Sequence, residues 1–150
     1  MTTFRFRLDK VLAWRGTQLE LAELEFRREA GALAELDRAS AELEARGIRT
    51  EAEVRGWSPL AGRDLAALGG FRHYLERRAK ELAAQRTEQA RKLAEREKAM
   101  LEARRRCRLL ERLRERRLAE WQYASGLELE QIASESYLAR FARQSSIINE

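Results

Sequence analysis

Residues 8–43 read LDKVLAWRGTQLELAELEFRREAGALAELDRASAEL. Apolar side chains return there every three or four residues, which is the spacing of one face of an α-helix. In a heptad register the a positions hold Leu12, Leu19, Phe26 and Leu33, and the d positions hold Leu8, Ala22, Leu36 and Leu43. This pattern is typical of a coiled-coil helix that packs along a partner of similar length.

A short interruption follows this helical pattern. The motif Gly56-Trp57-Ser58-Pro59 predicts the end of one helix and the start of a short one, because Ser caps helices and Pro suits their first position. Gly69-Gly70 predicts a second break. After it, apolar residues recur at helical spacing, at Leu75, Ala79, Leu82, Leu93, Met100, Ala103, Cys107 and Leu110.

Two long helices joined by a short turn pair within one chain only when they are antiparallel. We therefore predict an all-α fold, a long antiparallel two-helix coiled coil or helical hairpin, with a short helical turn region near residues 56–70. The expected single rod over residues 1–150 comprises helix 1 at about 5–54, the turn region at 55–70, helix 2 at about 71–143 and a frayed tail at 144–150. Residue i then faces roughly residue 124 − i.

The composition agrees with this architecture. Ala, Glu, Lys, Leu and Arg make up 98 of the 150 residues, as in coiled coils and long helices. Val, Ile and Thr number only 11, too few for a β-sheet. No apolar stretch approaches the roughly 20 residues that a bilayer requires, and the N-terminus has no apolar signal core. We expect a cytoplasmic protein.

The residue types needed for catalysis are scarce. His73 is the only histidine and Cys107 the only cysteine, and Gly69-Gly70 lacks the Lys and the spacing of a nucleotide-binding loop. A pair of helices also offers no enclosed pocket in which catalytic groups converge. We expect no enzymatic activity, no catalytic, metal or cofactor site, and no small-molecule substrate.

Charge is distributed unevenly along the chain. Residues 76–117 carry 16 basic and 8 acidic groups, whereas residues 118–150 carry 2 basic and 5 acidic groups. The run Arg104-Arg105-Arg106-Cys107-Arg108 is consistent with a solvated helix face, with a contact to an acidic protein surface, or with non-specific phosphate binding. A basic-zipper DNA reader is disfavoured because Met100 occupies the position of its base-reading Asn. Nucleic acid is not the expected partner.

The predicted pairing leaves the end of helix 2 without a partner helix. Residues 118–143 extend past the start of helix 1, and exposed apolar groups on such a segment indicate a partner or self-association. The apolar residues concerned are Leu118, Trp121, Tyr123, Leu127, Leu129, Ile132, Tyr137, Leu138 and Phe141.

Three segments carry a resemblance to a known family. They are Phe4-Arg5-Phe6-Arg7-Leu8-Asp9-Lys10-Val11-Leu12, then Phe71-Arg72-His73-Tyr74-Leu75-Glu76-Arg77-Arg78 with Leu82 and Gln85 after it, then Leu109-Leu110-Glu111-Arg112-Leu113-Arg114-Glu115-Arg116-Arg117 with Glu120-Trp121. In order, spacing and total length the chain resembles the flagellar type III export stalk proteins, the FliJ family. Family members usually end with a Glu-rich run and an Asp-Glu pair, where this chain has Ser134-Glu135-Ser136.

The resemblance implies a function. Family members form an antiparallel coiled coil in the pore of the hexameric flagellar export ATPase, favour assembly of its ring, and link it to the cytoplasmic domain of the export gate membrane protein. They also handle export chaperones. The implied location is cytoplasmic, peripherally associated with the inner membrane at the flagellar base. There are two alternatives: a stalk protein of a virulence type III secretion injectisome, or a basic coiled-coil protein associated with nucleic acid.

The resemblance also implies two contact surfaces. The first, which we call the turn-end surface, would bind the export gate through Phe71, Tyr74, Leu75, Arg78 and Leu82, with Leu36 and Leu43 facing them from helix 1. Leu36, Leu43 and Leu75 are equally consistent with holding the two helices together. The second, which we call the terminal surface, would bind the ATPase through Phe4, Phe6, Arg7, Arg114, Arg117, Leu118 and Trp121.

Overall fold

The computed structural model describes residues 3–148, with side chains described for residues 3–144. Two helices account for most of this range: α1 spans Asp9–Arg55 and α2 spans Gly62–Ile148. The two helices pack against each other, and residues 3–148 contain no strand. The prediction of an all-α helical hairpin is confirmed.

Contacts divide the chain into two compact units. One, the terminal unit, contains Met1–Thr17 and Arg104–Glu150, and the other, the turn unit, contains Gln18–Ala103. Each unit therefore includes a part of α1 and a part of α2.

Side-chain contacts define the pairing within the turn unit. Four polar contacts cross from α2 to α1, namely Arg72 to Glu51, Arg86 to Asp37, Gln89 to Glu29 and Arg96 to Glu25. The two residue numbers of each pair add up to 123, 123, 118 and 121, respectively. As the number rises along α2 it falls along α1, so the helices are antiparallel, close to the predicted register.

Burial is confined to a narrow seam. The buried apolar side chains among the described residues are Phe6, Val54, Leu82, Met100 and Cys107. The predicted a and d residues of α1 are half-buried except Leu8, which is exposed, while off-register residues such as Leu24 face solvent. Because two helices bury only one stripe each, the seam supplies the apolar core.

Helix α1 begins at Asp9, four residues later than predicted. The Phe4-Arg5-Phe6-Arg7 segment precedes it in a non-helical conformation, with Phe6 buried and both arginines exposed. The segment turns into α1 through the Asp9 N–H, which donates to the Phe6 carbonyl oxygen over 3.2 Å. The α1 backbone then starts with the Leu12 N–H donating to the Leu8 carbonyl oxygen, 2.8 Å away.

The connection between the helices is shorter than predicted. It covers residues 56–61, and α2 begins at Gly62 rather than after a separate short helix. The Ala61 N–H donates to the Asp64 carboxylate over 3.1 Å, while the Ala61 carbonyl accepts from the N–H groups of Asp64 and Leu65. The Asp64 carboxylate supplies one half of a capping box, because the Ala61 side chain has no oxygen to accept from the Asp64 N–H. Asp64, and not Pro59, therefore caps the start of α2.

The predicted break at Gly69-Gly70 does not occur. Both glycines lie within α2, and their neighbours Leu68 and Phe71 are half-buried. A helical glycine costs about 1 kcal/mol relative to alanine, and packing of the flanking apolar side chains offsets that cost. At its other end α2 reaches Ile148, beyond the predicted 143; residues 149 and 150 of the expected tail lie outside the described residues.

Neither α1 nor α2, over the residues that the structure describes, has an apolar stretch long enough to cross a membrane.

Candidate interaction surfaces

Two aromatic rings form the first part of the turn-end surface. Phe71 is half-buried and stacks on Tyr74, with ring centroids 6.3 Å apart and planes inclined by 26°. The guanidinium of Arg46 on α1 lies 5.8 Å from the Phe71 ring centroid, within the range of a cation–π interaction. Tyr74 and Arg46 are exposed, so this cluster presents an aromatic group and a positive charge at the surface.

The other predicted residues of this surface line two separate grooves. Leu43 and Leu75 lie in one groove, together with the exposed Ile48. Leu36, Arg78 and Leu82 line the other groove. The seven residues that the resemblance implies are therefore near one another in the turn unit, but they do not form one continuous patch.

Leu82 is the most buried residue of the turn-end surface. Only 2% of it is exposed, so its side chain packs into the seam between α1 and α2. A partner that approaches this groove would contact Arg78 and Leu36 before Leu82. Arg78 is also held by its own helix, because its guanidinium donates to Glu81 over 3.0 Å.

Gly47 is a packing residue that was not predicted from the sequence. It is buried within α1 and lines the first groove. A Cβ atom at this position would lie 2.9 Å from Leu75 Cδ1, so the missing side chain lets Leu75 pack close to the α1 backbone. The signal was present in the spacing, because Gly47 follows Leu43 by four residues.

The terminal surface brings together the two ends of the chain. Phe4, in the non-helical segment before α1, lies with its ring centroid 6.0 Å from that of Trp121 on α2. The Arg114 guanidinium lies 6.0 Å from the Phe4 centroid and donates to the Asp9 carboxylate over 3.2 Å. An aromatic pair and a guanidinium thus lie together on this surface.

Five of the seven predicted terminal residues line one groove. They are Phe4, Phe6, Arg7, Arg117 and Trp121. Arg114 contacts the Phe4 ring at its edge, and Arg117 donates to Glu120 over 2.8 Å. Leu118 is half-buried and does not line the groove. The structure therefore assembles most of this predicted site around an aromatic pair.

Beyond the terminal surface, α2 is exposed. Every residue from 127 to 144 has high solvent exposure, including six large apolar or aromatic side chains: Leu127, Leu129, Ile132, Tyr137, Leu138 and Phe141. Tyr123 is 72% exposed. This segment is the one that the sequence predicts to lie beyond helix 1.

The basic run and the cysteine lie on different sides of α2. Arg104, Arg105, Arg106 and Arg108 are exposed, whereas Cys107 is buried in the seam. Burial, together with the nearby Glu111 carboxylate, raises the pKa of the Cys107 thiol above its ordinary value. The residue therefore packs as a small apolar group, as its seam position predicts.

Over residues 3–148, no group of three or more His, Cys, Asp or Glu side chains is arranged to hold a metal ion. His73 is exposed near the turn end.

No protein-family model matches this chain, and comparison with curated proteins and with solved structures gives no match either. The likeness to the export stalk proteins therefore rests on the three sequence segments given above.

Proposed function

We propose that the chain is a non-enzymatic stalk and escort component of the bacterial flagellar type III export apparatus. In this role it binds the hexameric export ATPase, connects the ATPase ring to the cytoplasmic domain of the export gate, and handles export chaperones. Its place is the cytoplasmic side of the inner membrane at the flagellar base.

One observation supports the proposal more than any other. Two of the three segments that carry the resemblance are separated by about a hundred residues, yet they pack together in the terminal unit. Phe4 of the first segment meets Trp121 of the third, and Asp9 pairs with Arg114. The first and third segments that carry the resemblance therefore form one surface.

The terminal surface has the chemistry of a protein-binding site. Aromatic residues and arginines are enriched at the energetically important positions of interfaces, because they combine a large contact area with directional polar groups. Here Trp121 is half-buried and Phe4 lies against it. We infer that the ATPase contacts this surface, and that the export gate contacts the turn-end surface around Phe71 and Tyr74.

A binding and activity experiment tests the ATPase contact. The purified full chain is mixed with the export ATPase of the same organism, and ATP hydrolysis and ring assembly are followed with light scattering as the readout for assembly. We expect stimulation by the unmodified chain. A variant with Leu118→Ala and Trp121→Ala should bind at least about tenfold more weakly, since truncation of a central aromatic anchor commonly costs more than 1.4 kcal/mol.

A matched tryptophan provides the control. Trp14 is exposed on α1 in the same unit, and Trp14→Ala should leave ATPase binding unchanged. Circular dichroism must show that both variants keep their helicity. Unchanged affinity of the Leu118→Ala, Trp121→Ala variant with unchanged helicity would contradict the terminal surface as the ATPase contact.

The alternatives make different predictions in the same assay. An injectisome stalk would stimulate an injectisome ATPase and not the flagellar one. A protein associated with nucleic acid through residues 104–117 would bind nucleic acid tightly, and its affinity would fall steeply as salt is added. Absence of any effect on the flagellar ATPase would favour one of these two.

A further inference from the structure

The end of α2 presents a second heptad pattern that the fold leaves exposed. Its members are Tyr123, Leu127, Glu130, Ser134, Tyr137 and Phe141, at successive steps of four, three, four, three and four residues. At 3.6 residues per turn these six positions fall within an arc of about 80° on one side of the helix. We call this set the outer seam.

The outer seam is distinct from the contact with the N-terminal segment. Trp121, which contacts Phe4, projects from α2 roughly 160° away from the centre of the outer seam, and Ile132 lies about 180° away. The four aromatic and aliphatic members of the seam are between 43% and 72% exposed. The seam is therefore an apolar stripe on the face of α2 that is turned away from the terminal surface.

We propose that the outer seam pairs with the same seam of a second copy of this chain, as an antiparallel helix pair centred on residue 132. The spacing is self-complementary. In antiparallel coiled coils an a position packs against a d position of the partner helix. Applied here, that rule places Tyr123 of one copy against Phe141 of the second copy, and Leu127 against Tyr137, with residue numbers that add up to 264.

Charge selects the antiparallel direction. A parallel pair would place Glu130 against Glu130 of the second copy within the seam, where two like charges repel. The antiparallel pair places Glu130 against Ser134 of the second copy, whose hydroxyl can donate a hydrogen bond to a carboxylate. At the flanks, Gln131 lies opposite Ala133 of the second copy, so no like charges are opposed there.

The exposed area is sufficient for a weak, specific dimer. Aromatic side chains bury roughly 150–250 Å² each when covered, and about two-thirds of Tyr123, Tyr137 and Phe141 is exposed. With Leu127 and the flanking Leu138, both copies together would cover on the order of 1,000 Å², which is where specific interfaces begin. We therefore expect an association that depends on concentration.

Sedimentation equilibrium of the full chain over a wide concentration range tests the proposal. The expected result is a monomer–dimer equilibrium. Leu127→Glu should weaken it by at least about tenfold, since each substitution occurs twice in the dimer and buries an unpaired charge. The matched control is Ile132→Glu, which introduces the same charge on the opposite face of the same exposed segment and should leave the equilibrium unchanged.

Cross-linking tests the direction of pairing. In a Cys107→Ala background, Ala133→Cys places two thiols near the centre of the antiparallel pair, and a short bismaleimide should link them. Ala124→Cys places its thiols about 24 Å apart, at 1.5 Å per residue over 16 residues, and should not be linked. In a parallel pair both variants would be linked.

Several results would overturn the proposal. A chain that stays monomeric at all concentrations, a dimer that survives Leu127→Glu, a dimer lost in Ile132→Glu, or efficient cross-linking of Ala124→Cys would each do so. None of these measurements involves the export ATPase, so their outcome is independent of the proposed function.

Discussion

The Nε of Arg86 on α2 lies 2.6 Å from the Oδ1 of Asp37 on α1. The hydrogen bond and the carboxylate charge of Asp37 raise the pKa of the Arg86 guanidinium above its ordinary value, and an arginine is charged throughout the usual pH range in any case. Arg86 occurs where polar residues interrupt the apolar spacing of α2 in the sequence. At this interruption, an ion pair therefore links the two helices.

Charge reversal tests the contribution of this ion pair to stability. Asp37→Arg would place two positive charges against each other and should lower the melting temperature. Adding Arg86→Asp should restore most of the loss, because the pair is re-formed with opposite polarity. Circular dichroism at low salt is the measurement, and added salt should shrink both effects.

The control for this pair is an exposed ion pair within one helix. Arg38 and Glu35 lie 2.9 Å apart on α1 and are both well exposed. Glu35→Arg should change the melting temperature less than Asp37→Arg does, since such pairs within a helix contribute little. Equal effects of the two reversals would show that Asp37 has no role between the helices.

Gly47 and Gly31 provide a matched comparison within α1. At Gly31 an added Cβ would meet nothing within 4 Å, whereas at Gly47 it would lie 2.9 Å from Leu75 Cδ1. Gly31→Ala should stabilise the protein by about 0.5–1 kcal/mol through helix propensity. Gly47→Ala should gain clearly less, because Leu75 must shift, and chemical denaturation of both variants measures the difference. An equal gain at both positions would mean that the close approach at Gly47 is unimportant.

Leu82 should be a principal contributor to stability in the turn unit. It is 2% exposed, while Leu24 on α1 is 63% exposed. Leu82→Ala should lower the free energy of unfolding by about 2 kcal/mol or more, from lost burial and the cavity left behind. Leu24→Ala should change it by less than about 0.5 kcal/mol. Guanidinium titration compares the two, and similar losses would contradict the seam described here.

Cys107 should be protected from thiol reagents. Its side chain is buried and its thiol pKa is raised, and the thiolate is the reactive form. Alkylation of the native chain at pH 8 should be at least about tenfold slower than in denaturant. The raised pKa also predicts stability that is intact at neutral pH and decreases as pH rises above the ordinary thiol value, because the unfolded chain then loses the proton more readily. Rapid alkylation under native conditions would place the thiol in solvent.

The Phe4–Trp121 contact can be followed by fluorescence. With Trp14→Phe and Trp57→Phe in place, emission reports on Trp121 alone. Phe4→Ala should shift this emission to longer wavelength, because Trp121 loses an apolar neighbour 6.0 Å away. Arg5→Ala, which alters an exposed neighbour in the same segment, should leave the spectrum unchanged. A spectrum insensitive to Phe4→Ala would mean that the N-terminal segment does not dock there.

The helical class and the pairing direction were predictable because they depend on repetition. Apolar residues such as Leu12, Leu19 and Leu33 recur over many turns, and an error at one position does not change the period. The only arrangement that lets both stripes meet within one chain is antiparallel, and contacts such as Arg72 with Glu51 agree with it. Repetition also indicated which α1 residues form the seam.

The helix boundaries were less predictable because they depend on single contacts. Gly69-Gly70 has the local preference of a break, yet both residues remain helical beside the half-buried Phe71. Pro59 has the preference of a helix start, yet Asp64 caps α2 three residues after Ala61. Tertiary packing and a single carboxylate override local preferences worth about 1 kcal/mol each.

The candidate surfaces, too, were only partly predictable from the sequence. Sequence alone determined the two-helix class, the antiparallel register and the apolar character of the end of α2, because each follows from periodic spacing along the chain. Only the tertiary structure decided that the Phe4–Arg7 segment is non-helical, that Phe4 lies against Trp121, and that Gly47 lets Leu75 pack close to α1. These features depend on residues distant in sequence, whose contact energies have no local signature until the helices are paired.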